Sequence, residues 1–464
     1  MQLFHRPSRL SATFDDTNLV SSAGLVPAMA LAVKTGLGDL VDAWLTLPGY
    51  FGANSGLKVT ALVAGMLAGA DSFDDMALLR HGGMRKLFAG TYAPSTLGSF
   101  LRTFSIGHVR QLDAVAWRWL VNIAAITPIV TGIDDYALVD IDDTIKEVHG
   151  YQKQGSGYGY SGVRGLNALI GIVSTSSAAP LIIGSRLRKG AVGSPRGAGK
   201  FVGDILATVT RLRSRAATGV VLLRADSAFY GHAVVAAAHR GGAKVSITAR
   251  MNPAVRRAIA TINEDQWVTI NYTDAIRDED TGAWISSAEV AEVAFTAFGS
   301  RKRADSITGR LVVRRIPELN PKADQGQPTL FDTHRFHAFF TTSDLDTVTA
   351  DQTHRKHAII EQINADLKDS ALAHFPSAVF TANAAWLVLA TIAFNLSRAV
   401  GATASPDLDK ARSGTIRRKL INIPARISTS ARKITLHLPA SWPWETGWLA
   451  AFTAACGPPQ LATT

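Results

Sequence analysis

Tyr136-Ala-Leu-Val-Asp-Ile-Asp-Asp-Thr144 is a short apolar run of β type that breaks into carboxylates. Gly219-Val-Val-Leu-Leu-Arg-Ala-Asp226 has the same design, an apolar strand with an Asp where it leaves the sheet. Between them, residues 169–174 and 180–185 read as two strands joined by polar residues 175–179, and a helix follows over about 198–213. A short helix over 233–239 and a strand over 244–248 come next. Strand, strand, strand, helix, strand, helix, strand is the order of a mixed α/β unit.

Upstream, residues 21–125 read as helical. Apolar residues recur at three- and four-residue spacing in 25–47, 59–68 and 109–123, separated by breakers such as Pro48-Gly49 and Gly82-Gly83. Arg80, Arg85, Lys86, Arg102, Arg110 and Arg118 are scattered through this region, which suits a DNA-binding helical domain or a purely structural one. Downstream, 252–342 reads mostly as strands, with an exposed loop over 317–327. A long helix is predicted over 351–372 and a very apolar one over 382–400. The pattern divides the chain into a helical part at 1–130, a mixed α/β part at 131–250, a strand-rich stretch at 251–345, helices at 346–402 and a basic C-terminal region at 403–464.

A chain of 464 residues that is 47% hydrophobic is large enough for a sizeable core and about three domains. The single Cys456 excludes a disulfide framework and a cysteine-built zinc site, and fits a reducing cytoplasmic compartment. Residues 1–25 lack the long apolar stretch of a signal peptide, and the most apolar run, 384–394, is too short to cross a bilayer. No membrane partner is expected. Lys and Arg number 48 against 37 Asp and Glu, a net charge of +11 that suits a polyanion such as DNA or RNA.

A carboxylate at a strand end is both exposed and rigidly held, as a metal ligand must be. Hard oxygen donors favour magnesium or manganese. Asp140 and Asp142 alternate to the same strand face, so either can be the ligand partnering Asp226. In the predicted helix, a rotation of about 100° per residue puts His354, His357, Glu361 and Lys368 on one stripe about 60° wide. That stripe suits a metal-binding carboxylate with phosphate-facing neighbours; a solvated helix face is the plainer alternative.

These pieces carry a family likeness. Asp-Ile-Asp-Asp-Thr-Ile-Lys-Glu-Val-His-Gly at 140–150, Gly-Tyr-Ser-Gly-Val-Arg-Gly-Leu at 159–166, Arg-Ala-Asp-Ser-Ala-Phe-Tyr at 224–230 and His-Ala-Ile-Ile-Glu-Gln-Ile-Asn-Ala-Asp-Leu-Lys at 357–368 follow in order. With them the chain resembles bacterial insertion-sequence transposases of the DDE class, and is most similar to insertion-sequence family 1380. The resemblance implies an α/β, ribonuclease-H-like catalytic core, a mixed sheet with flanking helices, carrying a β-rich insertion and an all-helical N-terminal domain. It implies Asp142, Asp226 and Glu361 as catalytic metal ligands, with Asp140 and Asp143 as lesser alternatives to Asp142. Two Mg2+ (or Mn2+) ions per site would support strand cleavage at transposon ends and transfer into target DNA. A hairpin intermediate would need a flipped base stacked on an aromatic, for which Trp267 and Trp284 are candidates beside a packing role. His354 and His357 stand where the family signature has Tyr and Arg, and Lys368 matches its Lys. The implied partners are double-stranded DNA, as terminal inverted repeats and target, and a second copy of the chain in a synaptic dimer. The implied location is the bacterial cytoplasm at the nucleoid.

Over 186–215, eight basic residues, among them Arg186, Arg188, Lys189, Arg211 and Arg213, stand against Asp204 alone, and read as a backbone-contacting stretch. Two other functions fit parts of the pattern. Asp140-x-Asp142-x-Thr144 after an apolar strand also resembles the nucleophile motif of haloacid-dehalogenase-type phosphatases, with Asp140 attacking. An inactive DNA-binding regulator of transposition is the other.

Overall fold

The computed structural model describes residues 1, 3–277, 284–299, 305–317, 334–430 and 433–458, and the side chains of 272–286 and 317 are left aside. The loop expected over 317–327 lies, after Pro317, outside the described residues.

The N-terminal part opens with a two-residue strand β1 (Leu19–Val20) and continues as helices α1 (Leu25–Lys34), α2 (Leu37–Trp44), α3 (Gly49–Gly52), α4 (Ser55–Ala68), α5 (Met84–Leu87), α6 (Pro94–Arg102) and α7 (Ile106–Ala124). Local chemistry sets these ends. Pro94 starts α6 at a position that needs no backbone donor, and Ser105 with His108 forms a reciprocal capping box on α7. Trp119 of α7 is fully buried and donates its Nε1–H to Thr35 Oγ1 at 2.8 Å.

A single sheet dominates the rest. Its strands are β2 (Tyr136–Glu147), β3 (Gly157–Tyr158), β4 (Arg164–Ser174), β5 (Leu181–Lys189), β6 (Val220–Ala225), β7 (Lys244–Thr248), β8 (Val268–Arg277), β9 (Trp284–Ala297), β10 (Ile307–Pro317) and β11 (His334–Thr341). Along the sheet the order runs β5-β4-β2-β6-β7-β11-β10-β9-β8, with short β3 also on β4. β5, β4 and β2 are antiparallel neighbours, whereas β2, β6 and β7 are parallel, linked through α8 (Ala198–Leu212) and α9 (His232–Arg240). Gly219 opens β6 where any Cβ would sit 1.9 Å from the Asp135 carbonyl oxygen, so the two parallel strands start in close contact. The β-rich stretch joins this sheet instead of forming a layer of its own. β11 pairs antiparallel with β7, and β10, β9 and β8 follow outward, after a short helix α10 (Pro253–Ile259).

The long helix predicted over 351–372 is broken. The structure has α11 (Thr347–Arg355), a 3-10 turn at Lys356–Ala358, and α12 (Ile359–Lys368). The cause is visible: buried Arg224 donates Nη1–H to the Thr353 carbonyl at 2.6 Å, the acceptor an unbroken helix gives to the His357 N–H. The apolar helix is longer than expected, α13 (Phe380–Ala404), 25 residues. It is the one described helix long and apolar enough to cross a membrane, yet it is buried inside the protein, against α4, α7 and β5. Beyond it come α14 (Ser413–Ile416), strands β12 (Ala425–Ser430) and β13 (Lys433–His437), and α15 (Glu445–Cys456). The two ends of the chain meet: β1 pairs with β12, α1 packs on α15, and Ser22 Oγ donates to Asn422 Oδ1 at 3.1 Å.

Candidate active site

Strand register builds the site. In the parallel ladder of β2 and β6, Asp140 lies opposite Arg224 and Ile141 opposite Ala225, so the next step puts Asp142 beside Asp226. The two Asp-x-Asp and Arg-x-Asp segments thus work as two layers. The inner layer is a sealed ion pair: Arg224 Nε and Nη2 each donate to an Asp140 carboxylate oxygen at 2.7 Å, and both side chains are essentially inaccessible. His357, from the turn between α11 and α12, adds Nδ1 to Asp140 Oδ1 at 2.8 Å. Asp140 therefore has no oxygen free to attack a substrate, which removes the nucleophile of the phosphatase reading.

The outer layer faces α12. Asp142 Oδ2 accepts from Asn364 Nδ2 at 2.9 Å, and its Oδ1 accepts from the Asp143 backbone N–H at 2.7 Å. Burial, with the charges of Asp143 and Asp226, pushes the Asp142 carboxyl up to about 6. Burial also raises Asp226, whose Oδ1 accepts from the Ala228 N–H at 3.0 Å. Lys368 lies in electrostatic range of Asp142, and burial and nearby Lys146 weaken its hold on its proton. Glu361 is exposed on the first turn of α12, three residues before Asn364 and seven before Lys368. Those spacings place it on the helix face that meets Asp142. Among the described residues no three His, Cys, Asp or Glu side chains stand close enough to hold one ion together. The Asp142 and Asp226 pair is nonetheless a donor set that fits a hard divalent cation: two oxygen ligands, burdened by burial and by each other's charge.

Other expected site residues have different surroundings. Asp143 turns away from Asp142 to an ion pair with Arg188, with Ser194 Oγ at 2.9 Å and Asn167 Nδ2 at 2.5 Å. Arg188 also donates to the Ser194 carbonyl at 2.8 Å, and Arg213 Nη2 donates to the Asp134 and Gly219 carbonyls at 2.9 and 2.7 Å. Arg186 pairs with Asp204 at 2.5 Å, Arg211 lies over the Trp117 ring, and Lys189 is exposed. Trp267 is covered by Arg315 at 4.3 Å, itself held by Glu264 and Glu289, with the Phe336 ring 6.1 Å away. The Trp284 side chain lies outside those described.

His354 does not share the stripe with Glu361, because the 3-10 turn intervenes. Its ring stacks on Phe339 at 4.1 Å, and both nitrogens are occupied, by Ser246 Oγ at 2.9 Å and Thr248 Oγ1 at 3.0 Å. Burial, with the nearby positive groups, pushes it down to about 3, so it stays neutral at working pH. An unfolded His takes its proton near 6.5 and this one does not, so it lowers stability as pH falls from about 6.5 toward 3. Urea unfolding of His354→Phe against the parent chain is expected to show a shallower loss of stability over that window. Parallel acid profiles would exclude this.

Three groups that shape the site were not read from the sequence: Arg224, Asn364 and the Ser194 and Asn167 side chains that join Arg188 around Asp143. A signal for Arg224 was present, since it precedes Asp226 by the same two residues by which Asp140 precedes Asp142. A family model described as transposase DDE domain group 1 matches residues 4–455. No curated protein matches the chain.

Proposed function

The chain belongs to the transposase DDE domain group 1 family, and from that premise we propose that it cuts DNA at the ends of a mobile element and joins the freed ends to target DNA. The observation that carries this reading is the adjacency of Asp142 and Asp226 at neighbouring strand ends, faced by the helix that bears Glu361, Asn364 and Lys368. Asp142, Asp226 and Glu361 would hold the divalent ions, magnesium or manganese, two per site. Bound, these ions supply Lewis acidity for attack on a phosphodiester by water and then by a 3′-hydroxyl.

The protein's own groups prepare the rest. Asn364 fixes the orientation of the Asp142 carboxylate, and Lys368 brings a positive charge to the phosphate side. His357, tied to Asp140, sets where α12 begins relative to the strand ends. The strand order β5-β4-β2-β6-β7, with its antiparallel and parallel halves, supports reading this part as ribonuclease-H-like. The likeness to insertion-sequence family 1380, the N-terminal helical part as an end-binding region, cut-and-paste chemistry through a hairpin, a synaptic homodimer and a cytoplasmic, nucleoid-associated location belong to the same proposal.

The test is cleavage of labelled DNA carrying the element's ends, with magnesium, by the parent chain and by Asp226→Ala. Magnesium-dependent nicking by the parent alone is expected. Equal cleavage by both proteins removes the site assignment, and no cleavage by either favours a DNA-binding regulator.

A further inference from the structure

The hairpin between β2 and β4 carries three tyrosines that the site so far leaves unused. Tyr151, Tyr158 and Tyr160 are exposed, Tyr151 keeping 88% of its free area. Exposed aromatic rings are costly to leave in water, and their faces suit the faces of unpaired bases.

The segment that bears them is built firmly. Arg164 donates to the carbonyl of Gly150, to that of Tyr151 at 3.4 Å and to Ser156 Oγ at 3.0 Å. Its guanidinium lies over the Tyr151 ring, 4.5 Å from the centroid. One face of that ring is thus backed by a cation while the residue stays open to solvent. Gln154 N–H donates to the Ala378 carbonyl at 2.9 Å, Gln154 Oε1 accepts from the Phe380 N–H at 3.1 Å, and Lys153 Nζ donates to the Phe375 carbonyl. The loop is therefore pinned to the chain just after α12.

Its place relative to the carboxylates follows from the strand. Asp142, Thr144 and Lys146 alternate to one face of β2. The end of β2, Glu147, is about 17 Å beyond Asp142 at the usual rise per residue. Lys146 and Lys368, close enough to influence each other, lie along that route. A polyanionic strand leaving the carboxylates along this face meets two ammonium groups and then the tyrosines, about five nucleotides on at a spacing of about 3.4 Å per nucleotide. Trp267 is less suited to the task, since Arg315 and Phe336 already flank it.

We propose that Tyr151, backed by Arg164, and the exposed Tyr160 of the same hairpin form a stacking platform for unpaired nucleotides of the DNA strand that leaves the Asp142 and Asp226 site. The inference rests on the transposase reading for the identity of the strand, but its binding test does not depend on catalysis.

The probe is fluorescein-labelled single-stranded oligothymidylate of about 20 nucleotides, enough to span a stacking site. A blunt duplex of equal length is the reference, both followed by anisotropy at fixed salt without divalent ions. Changing Tyr151→Ala together with Tyr160→Ala is expected to weaken single-strand binding about 10-fold or more, with duplex binding changed less than about two-fold. Tyr151→Phe with Tyr160→Phe keeps the rings and is expected to bind as the parent does. Unchanged single-strand binding by the alanine pair, an equal loss on both probes, or loss in the phenylalanine pair overturns the proposal. Binding is read without cleavage, so failure of the cleavage test would leave the platform standing, and failure of the binding test would leave the catalytic reading standing.

Discussion

Asp142→Asn is expected to abolish DNA cleavage, by about a thousand-fold or more, while making the metal-free protein more stable. The loss follows from removing an anionic ligand from chemistry to which the ions contribute several kcal/mol. The gain follows from the raised carboxyl, which titrates at about 6. At neutral pH the group is ionised in both states, but only the folded chain holds that charge against burial. Asn keeps an oxygen for the Asn364 amide and carries no charge, though its NH2 cannot accept from the Asp143 N–H, which offsets part of the gain. The gain in urea unfolding at pH 7.5 without divalent ions is up to about 3 kcal/mol, at 1.36 kcal/mol for each pKa unit. It shrinks as pH falls through the raised value and vanishes near the ordinary carboxylate range, because there the parent is protonated in both states. An Asp142→Asn protein that still cleaves within tenfold of the parent would exclude Asp142 as a ligand.

Arg224→Ala is expected to be the most costly change to the fold. Asp140 is fully inaccessible and both its oxygens receive hydrogen bonds from Arg224, so the variant strands a charge in the centre of the sheet. Breaking a buried pair from one side costs about 3–5 kcal/mol. The Thr353 carbonyl is freed as well, which removes the reason for the turn before α12. Replacing both partners, Asp140→Leu with Arg224→Met, is expected to recover part of the loss in denaturant unfolding, since the stranded charge is gone while the Thr353 carbonyl and His357 Nδ1 still lack these partners. Loss of less than about 1 kcal/mol in Arg224→Ala would mean that the pair is not the keystone of the site.

The strands and helices of the α/β unit were legible because each has a clean period. The apolar run 219–226 and the strand Lys244–Thr248 sit where the pattern put them. Asp226 at the end of β6 was legible for the same reason. The relation of Asp140 to Asp142 was not, because alternation puts both on one face and only the register with Arg224 separates an inner layer from an outer one. His354 misled for a different reason. A stripe computed at 100° per residue holds only along an unbroken helix, and the break is imposed by an arginine some 130 positions earlier in the chain, as the Arg224–Thr353 bond spans 129. The joining of β11 to β7 was equally hidden, since a sequence pattern gives strands but not their neighbours across a long connection.

The pairing of β1 with β12 sets when the N-terminal part can finish folding. Ser22 and Asn422 are 400 positions apart, so in a nascent chain β1 waits for β12 and α1 waits for α15, although α2 and α4 reach α1 early. At about 5–20 residues per second that wait is about 20–80 s. A message cut short before β12 would leave the β1 edge and the α15-facing side of α1 uncovered, a product for proteases before it ever met DNA.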